Sequence, residues 1–160
     1  MNAGILPIGL LFFAAGLTLS FASLRAAMLG LTAMIVAALT SSTLHMGGAA
    51  LEPVFVGLWV SVILTIGLMH LSRNLALGWA LAMGLNAGAW SGALAEISSM
   101  RLHMIMVVPL ALVFIPGRWI VARGYAIALK VVGSWVVAVA TLAIFVSLTP
   151  TPGYKPDHMQ

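Results

Sequence analysis

The segment Leu75–Ala95, LALGWALAMGLNAGAWSGALA, decides the fold class, because it contains no charged side chain. Roughly 20 helical residues cross a bilayer core about 30 Å thick. Small residues recur along it every fourth position, at Ala76, Ala80, Gly84, Gly88 and Gly92, and Glu96 continues the series. In lipid, helices associate through close backbone approach, which needs small side chains on one face. We therefore predict a transmembrane helix whose small-residue stripe faces other helices.

The composition of the whole chain agrees with a membrane protein. Apolar residues make up 62% of the 160 positions and charged residues 6%, whereas soluble domains carry roughly 25% charged residues. A cytosolic globular enzyme, a nucleic-acid-binding module and a disordered tail are excluded. The chain has no cysteine, so disulfides and thiolate metal sites are excluded as well.

Charges and polar clusters divide the sequence into six apolar segments. They are Gly4–Ala22, Ala26–Ser41, Pro53–Met69, Leu75–Ala95, Leu102–Ile115 and Tyr125–Leu148. The prediction is an all-α polytopic transmembrane bundle over residues 1–149, followed by a short extended tail at 150–160. The fifth segment is short and carries Pro109 with Pro116 just beyond it, so it could instead extend to Ala122. Five spans remain the alternative.

Basic residues in the short loops predict the orientation, because cytoplasmic loops carry the excess of Lys and Arg. One side receives Arg25, Arg73, Arg118, Arg123 and Lys130, and the other receives Arg101 and Lys155. The first side is therefore predicted to be cytoplasmic in a bacterial inner membrane. With six spans, both termini would lie outside.

Every histidine lies beside a methionine, in the pairs His45-Met46, Met69-His70, His103-Met104 and His158-Met159. Three of the pairs fall on the predicted outer side, and Met100 and Met106 flank the third pair. Imidazole and thioether ligands without thiolates suit Cu(I). The candidate metal ligands are His45, Met46, His103 and Met104, with Glu52 or Glu96 as the nearby charge.

Ordinary structural roles are the competing interpretation of the same residues. Methionine commonly fills gaps in apolar cores, and histidine at a membrane edge can serve as an interfacial polar residue. A haem would need paired histidines inside facing spans, but His45 and His103 lie near span ends. Haem is therefore not predicted.

Polar residues at and just beyond the fourth segment suggest a second type of site. Asn86 lies near mid-membrane, where an amide needs a partner. With Ser91 and Glu96 it could line a polar path, or Gly84, Gly88 and Gly92 could simply serve helix packing. Small residues recur in the third span at Gly57, Ser61 and Thr65.

Three functions remain open from the sequence, and none is enzymatic, because no nucleophile turn or phosphate-binding loop is present. The first is handling of a Cu(I)-like metal at the outer face, as a small permease or a delivery factor. The second is an accessory structural subunit of a larger membrane complex, and the third is a small-solute permease working as a homo-oligomer. In each case the lipid bilayer is a partner and nucleic acid is not.

Overall fold

The computed structural model describes residues 5–44, 50–71, 74–98 and 107–149. In these ranges all regular structure is helical, apart from one isolated β-bridge between Ala22 and Leu75. The α-helices are α1 (Ile5–Leu19), α2 (Leu24–Ser41), α3 (Leu51–Leu71), α4 (Leu77–Ile97), α5 (Phe114–Ala122) and α6 (Ala126–Leu148). A 3-10 helix, Val108–Val113, leads directly into α5.

Helix α1 is the centre of the bundle. Eleven of its 15 residues are buried, and it contacts α3, α4, α5, α6 and the 3-10 helix. Because α1 is apolar on every side, neighbouring helices can cover it completely without burying unpaired polar side chains. Thr18 ties α1 to α3, because its hydroxyl donates to the carbonyl oxygens of Ala14 and Thr65, each at 3.0 Å.

The helices run alternately in opposite directions, so that their connections gather at two ends. At one end the Leu75 amide donates to the Phe21 carbonyl at 3.1 Å, Arg118 donates to the Ala22 carbonyl, and the Lys130 ammonium donates to the His70 carbonyl at 3.2 Å. We call this the basic end, because Arg25, Arg118, Arg123 and Lys130 lie there. The two described acids, Glu52 in the first turn of α3 and Glu96 in the last turn of α4, lie at the opposite end, which we call the acidic end.

Helices α2 and α4 form a parallel pair with the closest backbone approach in the described bundle. A Cβ atom at Gly84, Gly88 or Gly92 would collide with a backbone carbonyl oxygen of α2, at Gly30, Met34 and Ala38 respectively. Each contacting pair is thus 54 positions apart in the chain. This constant difference means that the two helices run in the same direction. The stripe on α4 has a matching stripe on α2, with Ala26, Gly30, Met34 and Ala38 all buried.

The fifth predicted segment extends to Ala122, beyond the shorter limit at Ile115. Its described part runs alongside α1 in the same direction: Val107 lies near Gly9, and Gly117 contacts Ser20. Both prolines lie in the first turn of a helical piece, Pro109 in the 3-10 helix and Pro116 in α5. Pro109 is tolerated because first-turn amides lack helical partners. At Pro116 the helical chain continues without a break from the 3-10 helix into α5 and ends at Ala122.

Helix α6 lies at the edge of the bundle. Only Leu129, Gly133, Val136 and Ala140 are buried among its 23 residues, and α3 is its main neighbour. Gly133 provides the close approach, since a Cβ there would meet the Met69 methyl group. Most of the exposed side chains of α6 are apolar, as on a helix against lipid.

Candidate functional site

A cleft opens between α3 and α4 in the half of the bundle nearer the basic end. Its volume is about 540 Å³, within the usual range of ligand pockets. We call it the α3–α4 cleft, and its lining consists of Ile63, Leu64, Thr65, Gly67, Leu68, Leu71, Trp79, Ala82, Met83 and Asn86. Leu71 is 85% exposed and Trp79 is 60% exposed, so the rim of the cleft is apolar and reachable from the bundle surface.

Gly57 and Ser61, two members of the stripe Gly57, Ser61 and Thr65 on α3, make the close contacts with α4. Gly57 leaves room for the Trp90 ring, because a Cβ there would collide with the indole. One helical turn on, the Ser61 hydroxyl accepts a hydrogen bond from the Asn86 amide. These two contacts hold α4 close to α3, and beyond them the helices separate enough to form the cleft.

Asn86 is the best-fixed polar group on the cleft wall. Its amide nitrogen donates to Ser61, and its carbonyl oxygen accepts from the Trp90 indole N–H at 3.2 Å. An amide carries two N–H donors and an oxygen with two lone pairs. The partners on α3 and α4 therefore set the orientation of the Asn86 side chain. The amide can form further hydrogen bonds beyond these two.

Thr65 adds a second polar group to the cleft wall. The residue is 2% exposed, and its hydroxyl oxygen has no hydrogen-bond partner in the described part of the chain. The Trp59 indole nitrogen and the Ser91 hydroxyl share this condition, but neither residue lines the cleft. A buried hydroxyl left without a partner costs about 1–3 kcal/mol, so a ligand that pairs with Thr65 would recover that free energy.

The residues of the predicted polar path do not lie along one line. Helix α4 turns by about 100° per residue, which places Asn86 about 160° around the helix from Gly88. Gly88 faces α2 and Asn86 faces α3. Ser91 is fully buried on the Gly88 side of α4. Asn86 and Ser91 therefore lie on different faces of α4, Asn86 toward α3 and Ser91 on the side toward α2. The predicted path through Asn86, Ser91 and Glu96 stays a prediction.

The predicted metal ligands His45, Met46, His103 and Met104, and the reserve ligands Met100 and Met106, lie outside the described residues. Glu52 is exposed and Glu96 is half-buried, both at the acidic end. Among the described residues, no group of three or more His, Asp or Glu side chains could hold a metal ion.

The described pair Met69-His70 has an ordinary structural explanation. Met69 is fully buried against α6, whereas His70 is exposed. The His70 ring lies 3.0 Å from the Ile66 carbonyl through Nδ1 and 3.3 Å from the Ser134 hydroxyl through Nε2. The Met69 thioether thus packs in the core, whereas the His70 imidazole forms polar contacts at the surface. Together the two side chains connect α3 to α6.

Three helices are long and apolar enough to cross a bilayer: Leu24–Ser41, Leu51–Leu71 and Ala126–Leu148. Helix α4 has the same 21-residue length as α3, but its glycine, serine and asparagine residues make it less apolar than those three helices. Most of these residues face α2 or α3. These features indicate an α-helical membrane protein. No protein-family model, curated protein or solved structure matches this chain.

Proposed function

We propose that this chain is a six-span, non-enzymatic protein of the bacterial inner membrane that binds a lipid-soluble ligand in the α3–α4 cleft. The ligand would be a mainly apolar molecule with one hydroxyl or carbonyl group. The observation that carries the proposal is the pairing of an apolar, laterally open cleft with two polar groups on its wall, Asn86 and the unpartnered Thr65 hydroxyl. Ligand pockets combine these features because apolar area supplies affinity and a few polar groups fix orientation.

The alternating directions of the helices support the six-span topology in this proposal. The fifth span would begin before Val108, and α1 together with Val108–Ala122 would cross as the two shorter apolar helices. The basic end would face the cytoplasm, because Arg25, Arg118, Arg123 and Lys130 gather there. Both termini would then lie outside.

Filling the cleft is the direct test. A Cβ at Gly67 has no atom within 4 Å, so Gly67→Leu should place its side chain in the cleft without displacing backbone. We expect saturable labelling by a diazirine-bearing long-chain alcohol, measured in nanodiscs, to fall about tenfold or more, equivalent to at least about 1.4 kcal/mol of binding free energy.

Gly78→Leu is the matched control for this test. Gly78 lies in the first turn of α4, has no atom within 4 Å of an added Cβ, and does not line the cleft. Its labelling should equal that of the wild type. Equal labelling of Gly67→Leu and Gly78→Leu would refute the proposal, and so would equal displacement of the probe by a plain alkane and by the alcohol.

A soft-metal site at the acidic end is the second candidate function, as a small permease or a delivery factor for Cu(I). One geometric observation favours it. The described residues that flank the two outer His-Met pairs lie just beyond helix ends at the acidic end. They are Leu44 and Ala50 for one pair, and Ser98 and Val107 for the other. Glu52 and Glu96 lie at the same end of the bundle.

Copper retention tests the second candidate. Wild-type protein loaded with Cu(I) and desalted should retain the metal, whereas the double variant His45→Ala/His103→Ala should lose most of it, because two of the four proposed ligands are removed. Copper is measured by elemental analysis against protein concentration. His70→Ala, at the basic end, is the control and should retain copper as the wild type does. Equal retention in all three proteins would contradict the metal site.

A further inference from the structure

A second cavity lies at the basic end, separate from the α3–α4 cleft. It has a volume of about 360 Å³ and we call it the Arg118 cavity. The turn between α1 and α2, the residues before α4, and the last turns of α5 form its walls. The lining residues are Ser20, Phe21, Ala22, Ser23, Asn74, Leu75, Arg118, Val121 and Ala122.

Arg118 is the half-buried cation of this cavity. Its guanidinium donates to the Ala22 carbonyl, in the turn between α1 and α2. A guanidinium carries five N–H donors in a planar fork, so this hydrogen bond orients the group and leaves it further donor capacity. Ser23 and Asn74 place a hydroxyl and an amide on the same lining.

The charge distribution around the cavity favours an anion. Helices α2, α4 and α6 all begin at this end, and none has an acidic residue in its first turn. Helix N-termini carry a partial positive charge, so that nearby basic side chains are unfavourable and nearby anions are favourable. Arg25 nevertheless lies in the first turn of α2, and Lys130 lies near the start of α6. The described carboxylates, Glu52 and Glu96, lie at the opposite end.

The neighbouring basic residues have their own contacts. The Arg123 guanidinium lies over the Trp119 ring, 3.7 Å from its centroid, and the Lys130 ammonium donates to the His70 carbonyl. Arg118 is therefore the cation that the cavity itself presents, while the others raise the local positive potential.

We propose that the Arg118 cavity binds a phosphate-type anion. The planar guanidinium fork matches two phosphate oxygens, and such charge-assisted pairs are among the stronger hydrogen bonds. Pockets of basic residues between membrane helices at the cytoplasmic side bind the headgroups of anionic phospholipids. The shared chemistry is a phosphate group, from a lipid headgroup or from free inorganic phosphate.

Lipid and phosphate titrations of the purified full chain test this proposal. In one arm, spin-labelled phosphatidylglycerol is titrated into phosphatidylcholine nanodiscs. In the other, inorganic phosphate is titrated into the protein in uncharged detergent. Arg118→Gln should weaken binding about tenfold or more. Arg25→Gln removes the same charge at the same end without touching the cavity lining, and should weaken binding less than about threefold.

A second variant keeps the test decisive if Arg118→Gln fails to fold. Ala122 is exposed and lines the cavity, so Ala122→Glu should repel an anion there, whereas Ala128→Glu on exposed α6 surface should bind nearly as the wild type does. Loss of lipid binding alone in Ala122→Glu identifies a headgroup site, and loss in both arms identifies a site open to free phosphate. Wild-type binding in Arg118→Gln and Ala122→Glu, or no saturable binding by the wild type, overturns the proposal.

Discussion

Replacing Gly88 with leucine is expected to separate α2 from α4 and to destabilise the protein by about 4 kcal/mol or more. A Cβ at this position would collide with the Met34 carbonyl and contact the Ala37 side chain. The obstacle includes backbone, which cannot rotate away as a flexible side chain can. Because Gly84 and Gly92 make equivalent approaches on either side, moving α2 at one point disturbs the whole pair.

The measurement is reversible unfolding by sodium dodecyl sulfate in mixed micelles, followed by helical circular dichroism. Gly78→Leu makes the same change on the same helix at an open position and should unfold at nearly the wild-type detergent fraction. If Gly88→Leu unfolded with Gly78→Leu, the parallel α2–α4 pair would be wrong.

The second large effect is expected for Phe12→Ala, at about 2 kcal/mol or more, which is the cavity contribution to the usual cost of such a truncation. Phe12 is fully buried in α1 at the centre of the bundle. Lipid tails are as apolar as the protein interior, so transfer out of water contributes little to holding the helices together. The truncation nevertheless leaves a cavity, and the atoms around it lose their dispersion contacts.

Phe145→Ala is the matched control, because Phe145 is 67% exposed on the outer face of α6. Lipid can fill the space that this truncation leaves, so the same unfolding assay should show a change below about 1 kcal/mol. Equal destabilisation by the two truncations would show that α1 is not the central helix.

Most of the predicted apolar segments correspond to described helices, three of which are long and apolar enough to cross a membrane. The second span was predicted at Ala26–Ser41 and the helix is Leu24–Ser41; the last was predicted at Tyr125–Leu148 and the helix is Ala126–Leu148. Charged and polar residues next to an apolar segment mark where its helix begins and ends. The sequence alone is therefore sufficient to predict these helix ends. The fifth segment was less clear, because proline is tolerated in the first turn of a helix but disrupts a helix interior, and the sequence does not show where the first turn lies.

The α3–α4 cleft could be predicted only in part. Asn86 was singled out because an amide in a span needs a partner, and Ser61 and Thr65 were singled out as small residues for helix packing. The predicted path, however, joined Asn86 to Ser91 and Glu96 on its own helix. The actual partner of Asn86 is Ser61 on α3. The rotation of α4 about its own axis decides which polar residues meet. This rotation is set by the α4 glycines that pack against α2.

The sequence by itself determined that the chain is helical and suited to a bilayer, where its helices end, and that α4 approaches a neighbour closely. Only the tertiary structure decided that this neighbour is α2, running parallel, and that α1 is central while α6 is peripheral. The physical reason is that lipid and protein interior are equally apolar. An apolar helix surface in a membrane therefore does not reveal which of the two it faces, and shape complementarity between helices makes that choice.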